Sequence, residues 1–149
     1  MNPQRLMLMS VGVVVLVIAA FAIVPRFTAG SASGELDYAA NPRAGDPDAP
    51  VKVAIFFDFL CPHCATFSDQ ITPVLKQEFV ETGVASLHFL NFPVVNPVVS
   101  RDLAIVGECV FEQSNDAFVE LEPIMLRAQA SIRSRADAVD FALAYGPDL

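Results

Sequence analysis

The sequence is poor in the residues most often used to hold a metal ion. It has two histidines and three cysteines in 149 residues. A structural zinc site needs four ligands at close spacing, and His63, His88 and Cys109 stand too far apart to complete one around Cys61 and Cys64. A c-type haem needs a histidine directly after the second cysteine of the pair, and Ala65 stands there. No metal and no cofactor are therefore expected. Basic residues are also scarce: nine Lys and Arg face seventeen Asp and Glu, for a net charge of −8. No basic stripe with interleaved aromatics is present to neutralise phosphates, which excludes a nucleic-acid partner. The acidity serves solubility. There is no internal repeat, and only one run is long and apolar enough to cross a bilayer.

That run is Leu6–Val24, uncharged throughout. As a helix it would extend roughly 28 Å, close to the hydrocarbon thickness of a membrane. Secretory apolar regions are shorter, about 7–15 residues, so residues 1–25 are expected to form an uncleaved signal-anchor, a transmembrane helix with its N-terminus inside and the following domain outside the cytoplasm. The small residues Ala29, Gly30, Ser31, Ala32 and Ser33 keep open the alternative of secretion after cleavage. Residues 26–50, rich in Gly, Ser, Pro and Asn, are expected to be a linker.

Beyond it, Val51–Phe57 has the composition of a strand apolar on both faces, which predicts a central strand of a parallel sheet. A helix is expected from the cysteine pair to about Val80, kinked at Pro73, with Phe67, Ile71, Val74, Leu75 and Phe79 as its buried stripe. Ala85–Asn91 reads as a second strand, giving a right-handed βαβ unit over residues 51–91 with only two strands and exposed edges. Residues 100–146 read as helices: one capped by Ser100 over residues 101–112, a second from Asn115 or Asp116 interrupted by Pro123, and a third opened by Ser134-Arg135-Ala136-Asp137. Cys109 falls in an apolar helical stretch and is expected to be buried and inert. His88 is expected to be a strand residue with a satisfied hydrogen bond. Phe56, Phe57 and Phe59 are expected in the core.

The chemistry is carried by Cys61-Pro62-His63-Cys64, placed where the strand Val51–Phe57 turns into the helix. A sulfur at a helix N-terminus meets unpaired N–H groups and the positive end of the macrodipole, both of which favour its thiolate. The thiolate is the reactive species. Pro62 suits the first helical turn, where its missing N–H leaves nothing unpaired. Cys61 is expected to be the nucleophile and Cys64 the resolving thiol of a redox-active disulfide. His63 can add positive charge or a hydrogen bond at the Cys61 sulfur.

Gly45-Asp46-Pro47-Asp48-Ala49-Pro50-Val51, Phe57-Asp58-Phe59-Leu60-Cys61-Pro62-His63-Cys64, Pro73 and Leu90-Asn91-Phe92-Pro93 resemble the DsbA-like thioredoxin-fold proteins, and among them the membrane-anchored BdbD-type group. The resemblance covers about Gly45 to the C-terminus. It implies an α/β thioredoxin-like fold in which the helices after Pro97 are an insertion covering the active site. It also implies an extracytoplasmic thiol–disulfide oxidoreductase that oxidises dithiols of unfolded or reduced exported proteins and is itself reoxidised by a quinone-linked membrane thiol oxidase. The family often carries a buried acid six positions before the first cysteine as proton acceptor for the resolving thiol; Ile55 occupies that position here, and Asp58 is the nearest acid in sequence. A cis-proline loop, two strands and a final helix of the family lie beyond the last residue, Leu149, so residues 51–149 are expected to form a truncated DsbA-like domain. Two further readings stay open: a non-catalytic, membrane-tethered binding module, and a disulfide reductase or isomerase of the same fold.

Overall fold

The computed structural model describes residues 36–145. The expected membrane segment, the first part of the linker and the last residue of the expected helical region, 146, lie outside the described residues. Among those described, no helix is long and apolar enough to cross a membrane.

Three strands form one sheet in the order β1-β3-β2. Strand β1 is Arg43–Ala44, β2 is Val51–Phe57 and β3 is Ala85–Asn91. Strand β2 runs parallel to β3, from Val51 opposite Ala85 to Phe57 opposite Asn91. Strand β1 is antiparallel to β3, with Arg43 opposite His88 and Ala44 opposite Leu87. The expected βαβ unit is present, but the sheet has a third strand drawn from the region read as linker. A two-residue strand is too short to leave a periodic signal in sequence. Its position is fixed by long-range bonds: the Asn115 side chain accepts from the Arg43 N–H at 2.8 Å and donates to the Arg43 carbonyl at 2.9 Å. Gly45 follows at φ +101°, and a Cβ there would meet Val80 Cγ1 at 2.7 Å.

The central strand is β3, not β2. All of β3 except Asn91 is buried, while β2 pairs on one side only among the described residues and leaves Val51 and Phe56 about half exposed. Apolar composition on two faces reports where a side chain could be buried, not which edge is covered. On one face of β3, Leu87 and Phe89 join the core. On the other, the Ser86 hydroxyl is 3.0 Å from His88 Nε2, and His88 Nδ1 is 3.0 Å from the Tyr38 carbonyl. A carbonyl can only accept, so Nδ1 carries the proton and Nε2 accepts from Ser86. Burial holds the His88 pKa below its ordinary value, and Lys52 and Arg43 add to that effect against the Tyr38 carbonyl. The expected satisfied histidine is what the fold builds.

The segment after the cysteines is broken into three pieces: α1 (Pro62–Gln70), α2 (Thr72–Leu75) and a π-helical turn (Lys76–Val80). Pro73 has no N–H to return to the preceding turn, so the break falls where it was expected. The expected stripe is not buried. Phe67, Ile71, Val74 and Phe79 are exposed, and of the five only Leu75 packs against the core. The periodicity is right, but nothing among the described residues covers that face.

The remaining helices are α3 (Val99–Gln113), α4 (Asn115–Arg127) and α5 (Arg135–Tyr145). Ser100 does not cap α3; it lies inside the helix, and Asn96 Oδ1 accepts from the N–H groups of Val98 and Val99 instead. Helix α4 is capped by the Ser114 hydroxyl and continues through Pro123. Ser134 accepts from the Asp137 N–H at 3.2 Å, as the capping pattern predicted, while the Asp137 carboxylate turns to the Arg133 N–H at 2.9 Å. Leu103, Val106 and Val110 of α3, and Phe118, Leu121, Met125 and Leu126 of α4, close over Phe57, Phe59, Leu87 and Phe89. Phe57 and Phe59 are core residues as expected, and Phe56 is not. Gly107 lets α3 approach the aromatic rings: a Cβ there would lie 3.1 Å from Phe59 and 3.2 Å from Phe118.

The stripe of α3 also explains Cys109. Residues 103, 106, 107 and 110 share one face at helical spacing. Cys109 falls off that face with Ile105, and it is exposed rather than buried.

Candidate active site

Three elements bring the site together: the end of β2, the start of α1, and α4. Cys61 is the residue before α1, with extended backbone (φ −83°, ψ 116°), and no side chain caps the helix there. Cys61 therefore holds the position where a capping side chain would ordinarily meet the first free N–H groups. Pro62 takes the first turn. Cys64 lies one helical turn on, and both thiols are free and half-buried. His63, between them, is exposed.

Asp58 fixes the loop that presents Cys61. Its carboxylate is buried and accepts from the N–H of Leu60 at 2.9 Å and from those of Val94 and Val95 at 2.8 Å each. Its carbonyl accepts from the Cys61 N–H at 2.9 Å. The Asp58 side chain thus ties the cysteine loop to the loop after β3, and all of its named bonds are to backbone. Burial pushes the Cys64 thiol pKa up; the Asp58 main-chain N–H opposes this, and the neighbouring Cys61 thiol and the Asp58 carboxylate charge reinforce it.

Beside Cys64 a cavity of about 370 Å³ opens between β2, α1 and α4. Ile55, Phe57, His63, Cys64, Ser68 and Glu122 are among its lining residues. Glu122 is 4% exposed, and its Oε2 accepts from the Ser68 hydroxyl at 3.0 Å. Burial pushes the Glu122 carboxyl up to about 7 against the favourable effects of Ser68, Lys76 and Arg127.

Sequence reading missed Glu122. It also missed Gln129, whose amide reaches the carbonyls of Leu126 at 2.7 Å and Cys61 at 3.5 Å. A signal for Glu122 does exist: it stands four residues after Phe118 and four before Leu126, on the apolar stripe of its own helix, where a charged residue is out of place.

The sequence matches the thioredoxin family over residues 39–145. It is 40% identical over 82 residues to a probable disulfide bond formation protein D of Bacillus cereus, a match covering 54% of this chain and 37% of that protein. It is 30% identical over 97 residues to disulfide bond formation protein D of Bacillus subtilis, covering 65% of this chain and 43% of that one. The match thus spans less than half the length of these curated relatives. The fold is similar to the crystal structure of oxidised BdbD from Bacillus subtilis, with a TM-score of 0.58 and 21% identity over 74% of this chain and 68% of that chain. With its α/β sheet, its helices over residues 99–145 and the family match over residues 39–145, the chain belongs to the thioredoxin family, with a fold similar to that of BdbD.

Proposed function

We propose that this chain is a thiol–disulfide oxidoreductase that donates a Cys61–Cys64 disulfide to dithiols of exported proteins. The observation that carries this reading is the pair of free, half-buried thiols at the uncapped start of α1, Cys61 at the N-cap and Cys64 one helical turn on. The names of its relatives, disulfide bond formation protein D, support it. A substrate thiolate attacks Cys61 Sγ, the Cys61–Cys64 bond breaks, and Cys64 leaves with the electron pair and gains a proton. A second substrate thiolate then attacks the substrate sulfur of the mixed disulfide. This forms the substrate disulfide and leaves Cys61 and Cys64 as thiols. Pro62 sets the helix start, and exposed His63 lies at the rim, where a cation or donor would help hold the Cys61 thiolate.

The same reading places the domain outside the cytoplasm, tethered by residues 1–25, with reoxidation by a quinone-linked membrane thiol oxidase. Its support is the apolar run Leu6–Val24 and the family resemblance. In a dithiol-peptide oxidation assay of the full chain supplied with glutathione disulfide as oxidant, Cys61→Ser abolishes turnover, and Cys64→Ser accumulates a mixed disulfide at Cys61 as glutathione thiol is released. Turnover retained in Cys61→Ser refutes the assignment. A second reading, a non-catalytic binding module, draws on the exposed apolar residues around the site, among them Phe56, Phe67, Ile71 and Phe92. Peptide binding without any thiol exchange in the same assay would favour it.

A further inference from the structure

Glu122 is a buried carboxyl in the wall of the cavity that also holds Cys64, and the activity proposed above has not used it. The surroundings explain why it stands out. The described side of the cavity contributed by β2 is apolar (Val53, Ala54, Ile55, Phe56, Phe57). From α1 come Cys64, His63 and the Ser68 hydroxyl that donates to Glu122. Asp69 at the end of α1, Lys76 of the π turn and Arg127 of α4 complete the charged groups around it, and the last is paired with Asp69 at 2.7 Å. Glu122 is therefore the buried carboxyl that shares a compartment with the half-buried thiol.

The chemistry of the reading on which this inference rests requires Cys64 to change protonation. When Cys64 leaves the disulfide it must gain a proton, and when it attacks a mixed disulfide at Cys61 it must lose one. Burial disfavours its anion. The Asp58 carboxylate charge also disfavours the Cys64 anion, but that carboxylate is engaged by three backbone N–H groups of the loops. A cavity of about 370 Å³ is large enough for several waters at roughly 30 Å³ each, so that a proton can pass between groups that do not touch.

We propose that Glu122 is the proton acceptor and donor for Cys64, acting across the cavity they both line. In the resolving direction the Cys64 thiol gives its proton to the Glu122 carboxylate. The Cys64 sulfur attacks the Cys61 sulfur, and the substrate sulfur leaves with the electron pair as a thiolate. In the oxidising direction the neutral Glu122 carboxyl returns the proton to the departing Cys64. Its pKa of about 7 suits both halves of the exchange near neutral pH.

The test is a stopped-flow reaction of the reduced full chain, as Cys109→Ser to remove the exposed third thiol, with an aromatic disulfide whose released thiol absorbs light. The first release marks attack by Cys61 and the second marks resolution by Cys64. The second phase is expected to rise with pH through an inflection near 7. In Glu122→Gln it is expected to slow by at least about tenfold near neutral pH and to lose that inflection, with the first phase unchanged. An unaltered second-phase pH profile in Glu122→Gln overturns the assignment while leaving the oxidoreductase reading intact. Absence of the first phase in the parent protein overturns both. Should the variant not fold, infrared titration of the unsubstituted side chain serves. The protonated carboxyl band is expected to titrate near neutral pH and to move when Cys61 and Cys64 are oxidised to the disulfide; a band indifferent to that oxidation overturns the assignment.

Discussion

Replacing Glu122 by Gln should change how stability depends on pH, and in a direction opposite to the usual carboxylate. The ordinary value for this carboxyl is 4.5, and burial in the fold raises it to about 7. The folded protein therefore binds a proton that the unfolded chain has released across that window. Stability contributed by the neutral group is fully present below about pH 4.5 and is lost as pH rises to about 7. At about 1.4 kcal/mol per unit, the loss approaches about 3 kcal/mol once the pH exceeds the folded value. Gln keeps the shape and has no proton to lose. Urea unfolding of the reduced protein at a series of pH values, with wild type and Glu122→Gln in parallel, measures the difference. The two should be close at about pH 5, and the variant should be more stable by about 2–3 kcal/mol at about pH 8. Because both proteins share every other titrating group, the difference isolates this side chain. Parallel stability curves across the window would refute the argument, because they would mean that the Glu122 carboxyl ionises equally well in the folded and unfolded chains.

Gly107→Ala should lower the unfolding free energy by about 1–3 kcal/mol, because its methyl group would press on Phe59 and Phe118 at 3.1–3.2 Å, and denaturant midpoints at constant slope check this. Asp58→Ala removes the acceptor for the N–H groups of Leu60, Val94 and Val95, and is expected to cost at least about 2 kcal/mol. Faster hydrogen exchange at those three amides than elsewhere in the variant is the signature to look for. His88 is expected to titrate below the ordinary imidazole value of 6.5 by proton NMR, so its contribution to stability, present above that value, falls away as the solution is acidified. An imidazole titrating above 6.5 would contradict the bonding assigned to Ser86 and Tyr38.

Local signals in the sequence were strong where chemistry is local. Cys61-Pro62-His63-Cys64 fixes two sulfurs one helical turn apart, and Pro62 fixes the helix start beneath them. The strands Val51–Phe57 and Ala85–Asn91 were legible with these bounds from composition alone, as were Ser134 as a cap and the break at Pro73. Amphipathic pattern was less reliable. It placed Phe67, Ile71, Val74 and Phe79 on one face, but periodicity states that a face is apolar and not what lies over it. Cys109 was misplaced for the related reason that an apolar neighbourhood is not a helical face.

The residue sequence by itself therefore determined the dithiol, its place at a helix start and the family. Those depend on neighbours a few positions apart, whose geometry the backbone sets. Only the tertiary structure decided which strand is central, that Arg43–Ala44 joins the sheet, and that Glu122 shares a cavity with a cysteine 58 positions earlier. Sheet order and cavity walls come from packing between segments far apart in the chain. The energy of a buried charge is set by everything around it, so no local pattern announces it.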